Sequence, residues 1–399
     1  MSVTLNETPQ SNRLHIGFFG KRNSGKSTLI NAFTGQNVSI VSDVAGTTTD
    51  PVYKAMEIHP LGPCIIIDTA GFDDEGELGK IRVEKTALAA DKTDVAVLVF
   101  SEEEMTQELA WYQRFAGKKT PVLAVVGKAD SRTDTEALSQ LVKEKTGLDP
   151  VTVSAKTGEG VAQLKEALIR LIPENYGEQL ITGDLVGCGD LVMLVMPQDI
   201  QAPKGRLILP QVQTLRELLD KKCQVVSVTT DQFTAGLARL IHPPKLIITD
   251  SQVFGYVYEN KPEESMLTSF SVLFAAYKGD LDYYIEGAKA LDALTGQSKV
   301  LIAECCTHAP LSEDIGREKI PRMLRKRAGE GLTIDMVSGT DFPEDLSGYD
   351  LIIQCGACMF NRKYVMARIG HAKEQKIPMT NYGVVIAHLT GILDKVTRP

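Results

Sequence analysis

The sequence predicts an α/β protein: a doubly wound parallel sheet carrying a phosphate-binding loop, then a small α/β unit, then a second parallel-sheet α/β unit. Three observations lead there. A loop of the pattern G-x-x-x-x-G-K-[ST] stands between a short apolar run and a helical pattern. Further apolar runs alternate with helix-spaced segments, and each motif lies at the carboxyl end of a run, where open α/β sheets form their sites. Two tight cysteine groups occupy the last third, each at the end of another apolar run.

The loop is Gly20-Lys21-Arg22-Asn23-Ser24-Gly25-Lys26-Ser27. Residues 14–19 before it read as a strand. Thr28, Leu29, Ile30, Ala32 and Phe33 after it read as a helix, and that context confirms a P-loop. Its glycines let the backbone turn tightly, so that successive N–H groups from Gly20 to Thr28 face phosphate oxygens at a helix N-terminus. Lys26 supplies positive charge to the outer phosphates and Ser27 a hydroxyl for Mg²⁺. A nucleotide-binding protein is expected.

The polar loop Val44-Ala45-Gly46-Thr47-Thr48-Thr49-Asp50 follows. A buried-strand pattern at 64–67 then runs into Asp68-Thr69-Ala70-Gly71. An acid there holds Mg²⁺ through water, and the Gly71 N–H feels a γ-phosphate. Strand patterns at 95–100 and 122–126 come next, the second ending in Gly127-Lys128-Ala129-Asp130. A third, at 151–153, ends in Ser154-Ala155-Lys156, and 161–171 has helical spacing. Breakers from Pro173 to Gly177 close a first domain at 1–173.

The net charge of −8 over 399 residues argues against a protein whose main task is binding nucleic acid, which calls for a broad basic face. No apolar run long enough for a bilayer and no signal pattern are visible, so a cytoplasmic protein without membrane attachment is expected. Seven cysteines in a chain this long do not make a disulfide scaffold. No internal repeat is visible.

Residues 174–264 read as a small α/β domain, with strands at 191–196, 225–228 and 246–249 and an amphipathic helix at 212–219. They hold no cluster of catalytic residue types. His242, ahead of Pro243-Pro244, reads as a turn residue, and Cys188 and Cys223 as small buried hydrophobes. A unit without chemistry between two that have it suits dimerisation, hence a homodimer.

Residues 265–399 form the third expected domain. Helices at 271–277 and 281–294 lead to a strand at 299–303, which runs into Glu304-Cys305-Cys306-Thr307-His308. A basic helix from Arg317 to Arg327 follows, then a strand at 333–337. A strand at 350–353 runs into Gln354-Cys355-Gly356-Ala357-Cys358. Both cysteine groups fall at strand ends, so they are expected to close in space. Cys306, His308, Cys355 and Cys358 supply three thiolates and an imidazole. That set suits a closed zinc site or an iron–sulfur cluster with one weak or exchangeable ligand, and ligand softness does not separate the two. The basic helix reads as a solvated face, or as a docking patch for a charged precursor.

The ordered motifs of the first domain resemble the five motifs of a GTPase. Gly46-Thr47-Thr48-Thr49-Asp50 is similar to the G-T-T-R-D segment of the tRNA-modification and ribosome-assembly GTPases, which also carry an Asn like Asn23. The resemblance implies that Asp130 accepts from the guanine N1–H and amine, and that Ser154-Ala155-Lys156 contacts the guanine oxygen next to Lys128. It further implies that Thr48 joins Ser27 on Mg²⁺ and that Asn23 coordinates K⁺ in place of an arginine finger. There are two departures. Gly127 stands where the family has Asn, implying modest nucleotide affinity. Phe72 stands where other GTPases place a water-orienting Gln, implying slow hydrolysis dependent on K⁺ or dimerisation.

The segment Ala202-Pro203-Lys204-Gly205-Arg206-Leu207-Ile208-Leu209-Pro210-Gln211-Val212-Gln213, with C-x-H and later C-x-x-C, resembles the FeFe-hydrogenase maturation GTPases over the whole chain. That implies a 4Fe–4S cluster on Cys306, Cys355 and Cys358, with His308 a ligand or close neighbour and Gln354 where the family often has His. It implies a diiron precursor with carbonyl and cyanide ligands as cargo, and two radical-SAM maturases and an apo-hydrogenase as partners. A ribosome- or tRNA-directed GTPase with a zinc-stapled RNA-binding C-terminal domain would share the first domain. The acidic charge and the lack of interleaved basic and aromatic residues argue against it.

Overall fold

The computed structural model describes residues 9–36, 50–59, 61–72, 76–172, 179–197, 207–305, 315–357 and 359–399. The chain forms two compact units, Met1–Gly177 and Glu178–Pro399.

In the first unit the described strands are β1 (Leu14–Gly20), β2 (Val52–Ile58), β3 (Gly62–Asp68), β4 (Val95–Phe100), β5 (Val122–Val126) and β6 (Val151–Thr152). They form one sheet in the order β2-β3-β1-β4-β5-β6. All neighbours pair in parallel except β2 with β3. Side chains alternate across the sheet. Ile16, Phe18, Val95, Val97 and Val99 meet Leu29, Ile30 and Phe33 on one face. Phe19, Ala96, Leu98 and Phe100 meet Trp111 and Phe115 on the other. Strands buried on both faces must be apolar nearly throughout, which is why β1, β4 and β5 are legible in the sequence. The mostly exposed edge strand β2 mixes Lys54 and Glu57 with apolar residues, and it makes the sheet mixed rather than wholly parallel. Chain order reverses at β1, between β3 and β4, and the P-loop leaves the carboxyl end of β1 at this switch point.

The second unit holds two further four-stranded sheets among the described residues. The strands β7 (Leu191–Val195), β8 (Gln224–Val228), β9 (Leu246–Thr249) and β10 (Met266–Ser269) run β10-β9-β7-β8. The strands β11 (Lys299–Ala303), β12 (Thr333–Val337), β13 (Leu351–Gln354) and β14 (Met379–Asn381) run β12-β11-β13-β14. Both sheets are wholly parallel. Read from its other edge, the first has the strand order of the second. Their registers coincide at the carboxyl edge. Val195 pairs with Val228 and Thr249, and Thr249 with Ser269. Ala303 pairs with Val337 and Gln354, and Gln354 with Asn381. The last strand of each runs directly into a helix, Phe270–Lys278 or Tyr382–Leu389, capped by the side chain of Ser269 or Asn381 on the backbone N–H of Val272 or Val384. Such caps satisfy an otherwise orphaned donor. The second unit thus contains one four-stranded α/β unit twice in succession, a repeat that the sequence does not reveal.

Candidate functional site: a nucleotide pocket and a cysteine edge

The P-loop geometry follows from its glycines. Gly25, at φ +93°, caps the helix Lys26–Thr34 in a left-handed conformation that side chains disfavour. A Cβ on Gly20 would stand 2.8 Å from the Val99 carbonyl oxygen. Asn23 also adopts positive φ, at 58°. Lys26 is buried, and its Nζ donates to the carbonyl oxygens of Gly20 (2.9 Å) and Lys21 (2.7 Å). Ser27 Oγ donates to Asp68 Oδ2 at 2.9 Å, so the two expected Mg²⁺-side groups are joined across β1 and β3. Gly71 is buried just past β3. Thr48 lies outside the described residues.

A cavity of about 230 Å³ opens beside the loop, lined by Ser24, Gly25 and Thr28 on one side and by Gly127, Lys128, Asp130, Ala155 and Lys156 on the other. Ser24 is 2% exposed, and its hydroxyl has no hydrogen-bond partner among the described residues. A buried orphan hydroxyl in a phosphate cradle fits a ligand oxygen. Ser154, fully buried, donates through Oγ to Asp130 Oδ1 at 2.8 Å and accepts from the Thr157 N–H. One face of Asp130 is thereby fixed and its other oxygen remains for a base. Lys128, at φ 58°, lays its aliphatic stem 3.7 Å from the Cβ position of Gly25, making a flat wall for a purine. The structure therefore gathers all the described nucleotide residues expected from sequence at one sheet edge.

Phe72 turns away from this pocket. It is buried and stacks on Trp111 (centroids 5.6 Å apart, 19° between planes), which stacks on Phe19. The residue after Gly71 anchors this segment in the core and does not present a group to water.

Sequence reasoning missed a charged cluster beside the P-loop. Lys21 Nζ lies 2.7 Å from Glu104, 3.5 Å from Glu102 and 3.7 Å from Glu108. Burial opposes the Lys21 charge, but the bond from Glu104 and the fields of the three carboxylates hold its pKa above the ordinary value. Glu108 is fully buried with no hydrogen bond to either oxygen among the described residues, and burial pushes its carboxyl up to about 6. Only the run of acids from Glu102 to Glu104 hinted at it.

In the second unit, β11 and β13 are neighbours, and Cys305 and Cys355 meet at their carboxyl ends. The Cys305 N–H donates to Cys355 Sγ at 3.0 Å. Cys306, His308 and Cys358 lie outside the described residues; among those described, no three His, Cys, Asp or Glu side chains converge as ligands. Gln354 is 1% exposed, and neither atom of its amide has a partner among the described residues. Glu304 is neutralised by Arg317 (2.8 Å) and receives Ser338 Oγ (3.3 Å). The first arginine of the basic segment is thus engaged at the cysteine edge. Arg327 is engaged with Asp292, and burial lowers the pKa of Lys319.

The first unit has the features that define a P-loop GTPase, and residues 15–128 match the family model described as a 50S ribosome-binding GTPase. Residues 181–279 and 282–399 match, in that order, the hydrogen maturase F dimerization domain and the hydrogen maturase F tetramerization domain. The chain belongs to the hydrogen maturase F family of GTPases, and its second unit carries oligomerization domains. Among curated relatives, it is 36% identical over 161 residues to the tRNA modification GTPase MnmE of Chromobacterium violaceum, covering 40% of this chain and 35% of that one. It is 32% identical over 193 residues to GTPase Der of Wolinella succinogenes, covering 45% and 40%. The chain thus spans well under half the length of these relatives. A solved structure of an Era variant from Aquifex aeolicus, bound to GDP and aluminium fluoride, shares 21% identity, covers 54% of this chain and 92% of that one, and has a TM-score of 0.37. Among the described residues no helix is long and apolar enough to cross a membrane.

Proposed function

We propose that the protein is a cytoplasmic, GTP-hydrolysing scaffold that holds a 4Fe–4S cluster and assembles and delivers the diiron precursor of a FeFe-hydrogenase active site. In this reading it works as a homodimer with three modules: a GTPase module at 1–173, a dimerisation module that the sequence bounded at 174–264 but whose sheet takes in β10 (Met266–Ser269), and a cluster module on the rest of the chain to 399. The observation that carries the reading is the cysteine edge. Two cysteines far apart in sequence, Cys305 and Cys355, meet at neighbouring strand ends through the Cys305 N–H on Cys355 Sγ, with the orphaned Gln354 amide next to Cys355 in the chain. A buried amide without a partner marks a place where a further group belongs.

Cys306, Cys355 and Cys358 would hold the cluster, with His308 as a ligand or close neighbour. Three thiolates leave one iron position for an exchangeable ligand, which a carrier requires in order to take up and release cargo. The bound cluster supplies that position. The chain supplies burial, the N–H bond to Cys355 and the closed Glu304–Arg317 pair. In the GTPase module, Lys26 would neutralise the β/γ-phosphates, while Ser27 and Thr48 would hold Mg²⁺ with Asp68 behind them. Asn23 would hold K⁺, whose positive charge would offset charge developing between the phosphates. Hydrolysis would bias contacts with the radical-SAM maturases and the apo-hydrogenase.

The test is anaerobic purification with iron, sulfide and zinc quantified per chain, and EPR after dithionite reduction, beside a Cys306→Ser, Cys355→Ser, Cys358→Ser variant. About four irons and a reduced-cluster signal, both lost in the variant, are expected. One zinc without iron would overturn the reading and turn attention to RNA and ribosome binding.

A further inference from the structure

Arg368, on the helix Arg362–Glu374, is 3% exposed. Its Nη1 donates to Cys305 Sγ at 3.4 Å, and its Nη2 to the Gly339 carbonyl at 2.5 Å and weakly to the Tyr364 hydroxyl at 3.5 Å. Its Nε is buried with no partner among the described residues. The rings of Phe342, Tyr364 and Phe360 surround the guanidinium at 4.8, 4.9 and 5.4 Å. Among the described residues no carboxylate pairs with it. Glu304, the acid nearest in sequence to Cys305, is already matched by Arg317.

An arginine stays charged at any pH a protein meets, and taking that charge out of water is costly unless an anion accompanies it. The aromatic cage and one carbonyl offset part of the cost, but they carry no negative charge. The other Arg on this helix, the half-buried Arg362, spends one Nη on three carbonyl oxygens, those of Ala276, Tyr277 and Gly279. Arg368 instead directs a donor to the sulfur of Cys305, whose own N–H bonds Cys355 Sγ.

We propose that Arg368 supplies the counter-charge for an anionic metal–thiolate assembly at the ends of β11 and β13. It is a positioning residue that favours the more negative, reduced state of that assembly. This rests on the cluster reading above. Adding an electron adds negative charge, so a fixed cation nearby raises the midpoint potential and its removal lowers it.

The experiment uses the full chain, reconstituted anaerobically with Fe²⁺ and sulfide, as parent, R368M, R368Q and R368K. Iron per chain, thermal melting by circular dichroism and the midpoint of an EPR-monitored redox titration are measured for each. R368Q carries the test if R368M does not fold. The neutral variants are expected to show at least a tenfold loss in the reduced-to-oxidised ratio at fixed potential, about 59 mV for one electron, while R368K stays close to the parent. Reduced iron loading in the neutral variants only, with parental melting, would also support the proposal. Parental loading with an unmoved midpoint in the neutral variants would overturn it and leave the cluster reading intact. R368K shifted as far as R368M would overturn it as well, since shape rather than charge would then matter. A parent that takes up no iron would sink the cluster reading first, and this inference with it.

Discussion

Gly127 occupies the position where related GTPases carry the Asn that ties the base site to the P-loop, and the structure says what restoring that residue would do. Its backbone is outside the left-handed region, so a side chain brings no conformational strain. A Cβ there would lie 3.2 Å from Val99 Cγ1 and 3.3 Å from the Ser24 carbonyl oxygen. Those neighbours must give by a few tenths of an ångström, and a methyl end can do so more easily than the P-loop backbone. The Asn amide would then be within reach of the P-loop. A hydrogen bond of that kind is worth about 1 kcal/mol net, roughly fivefold in affinity. G127A introduces the crowding without the amide, so the ratio of Kd values between G127A and G127N isolates the bond. Isothermal titration with GDP and Mg²⁺ is expected to give G127N tighter than G127A by about fivefold and at least as tight as the parent. Equal Kd values for the two variants would refute the argument, because the amide would then have no partner at the P-loop.

Further outcomes follow from the same geometry. D130N should weaken GTP binding by about 3 kcal/mol, more than a hundredfold, because an acceptor of two charge-assisted N–H bonds is replaced by an amide that presents a donor to one of them. Xanthine nucleotides, whose 2-carbonyl meets that donor, should lose far less, as competition binding will show. Folded Glu108 titrates near 6 rather than near 4.5, so its ionised form carries about 2 kcal/mol of penalty. Its contribution to stability is full below 4.5 and is lost as pH rises through 6. Urea titrations should therefore show E108Q gaining on the parent between about pH 5 and 7.5, by at most about 2 kcal/mol; a constant gap would exclude the titration of Glu108. F72A should cost about 3 kcal/mol of stability in the first unit, by loss of the Trp111 stack and the cavity left behind. A much smaller loss in chemical denaturation would mean that this segment is not anchored by its aromatic ring.

What the sequence made legible is what local pattern encodes. The P-loop, Asp68 and Asp130 sit at or just past the ends of strands buried on both faces, where motif and hydrophobic run adjoin, and Ser154 follows the short, half-buried edge strand β6. β2 escaped because it is an edge strand of which only Met56 and Ile58 at the far end pack on the core, too few residues to declare a face. β10 and β14 escaped because they are short and rich in Thr, Ser and Asn, residues chosen for the caps that follow them. Lys21, Glu108 and Arg368 were invisible as a class. Each is an ordinary charged residue in sequence, and its significance comes only from burial by partners distant along the chain.

The repeat in the second unit explains why its chemistry had to be read from loops. At the carboxyl edge of the first copy, the Met196 N–H bonds the Val228 carbonyl at 2.9 Å; in the second, the Glu304 N–H bonds the Val337 carbonyl at 2.8 Å. Backbone pairing is thus held constant while the residues at matching positions diverge: Val195 against Ala303, Thr249 against Gln354, Pro197 against Cys305. Hydrogen-bond register conserves a framework without conserving side chains, so a repeat of this kind leaves little trace in composition or periodicity. Among the described residues, the first copy pairs Gln211 with Asp250 and Ser251 with Ser271 and leaves the buried amide of Gln213 without a partner. The second places two thiols, an orphaned amide and a buried guanidinium at the same edge. One framework therefore serves twice, and the two copies differ in the residues that stand at their carboxyl edges.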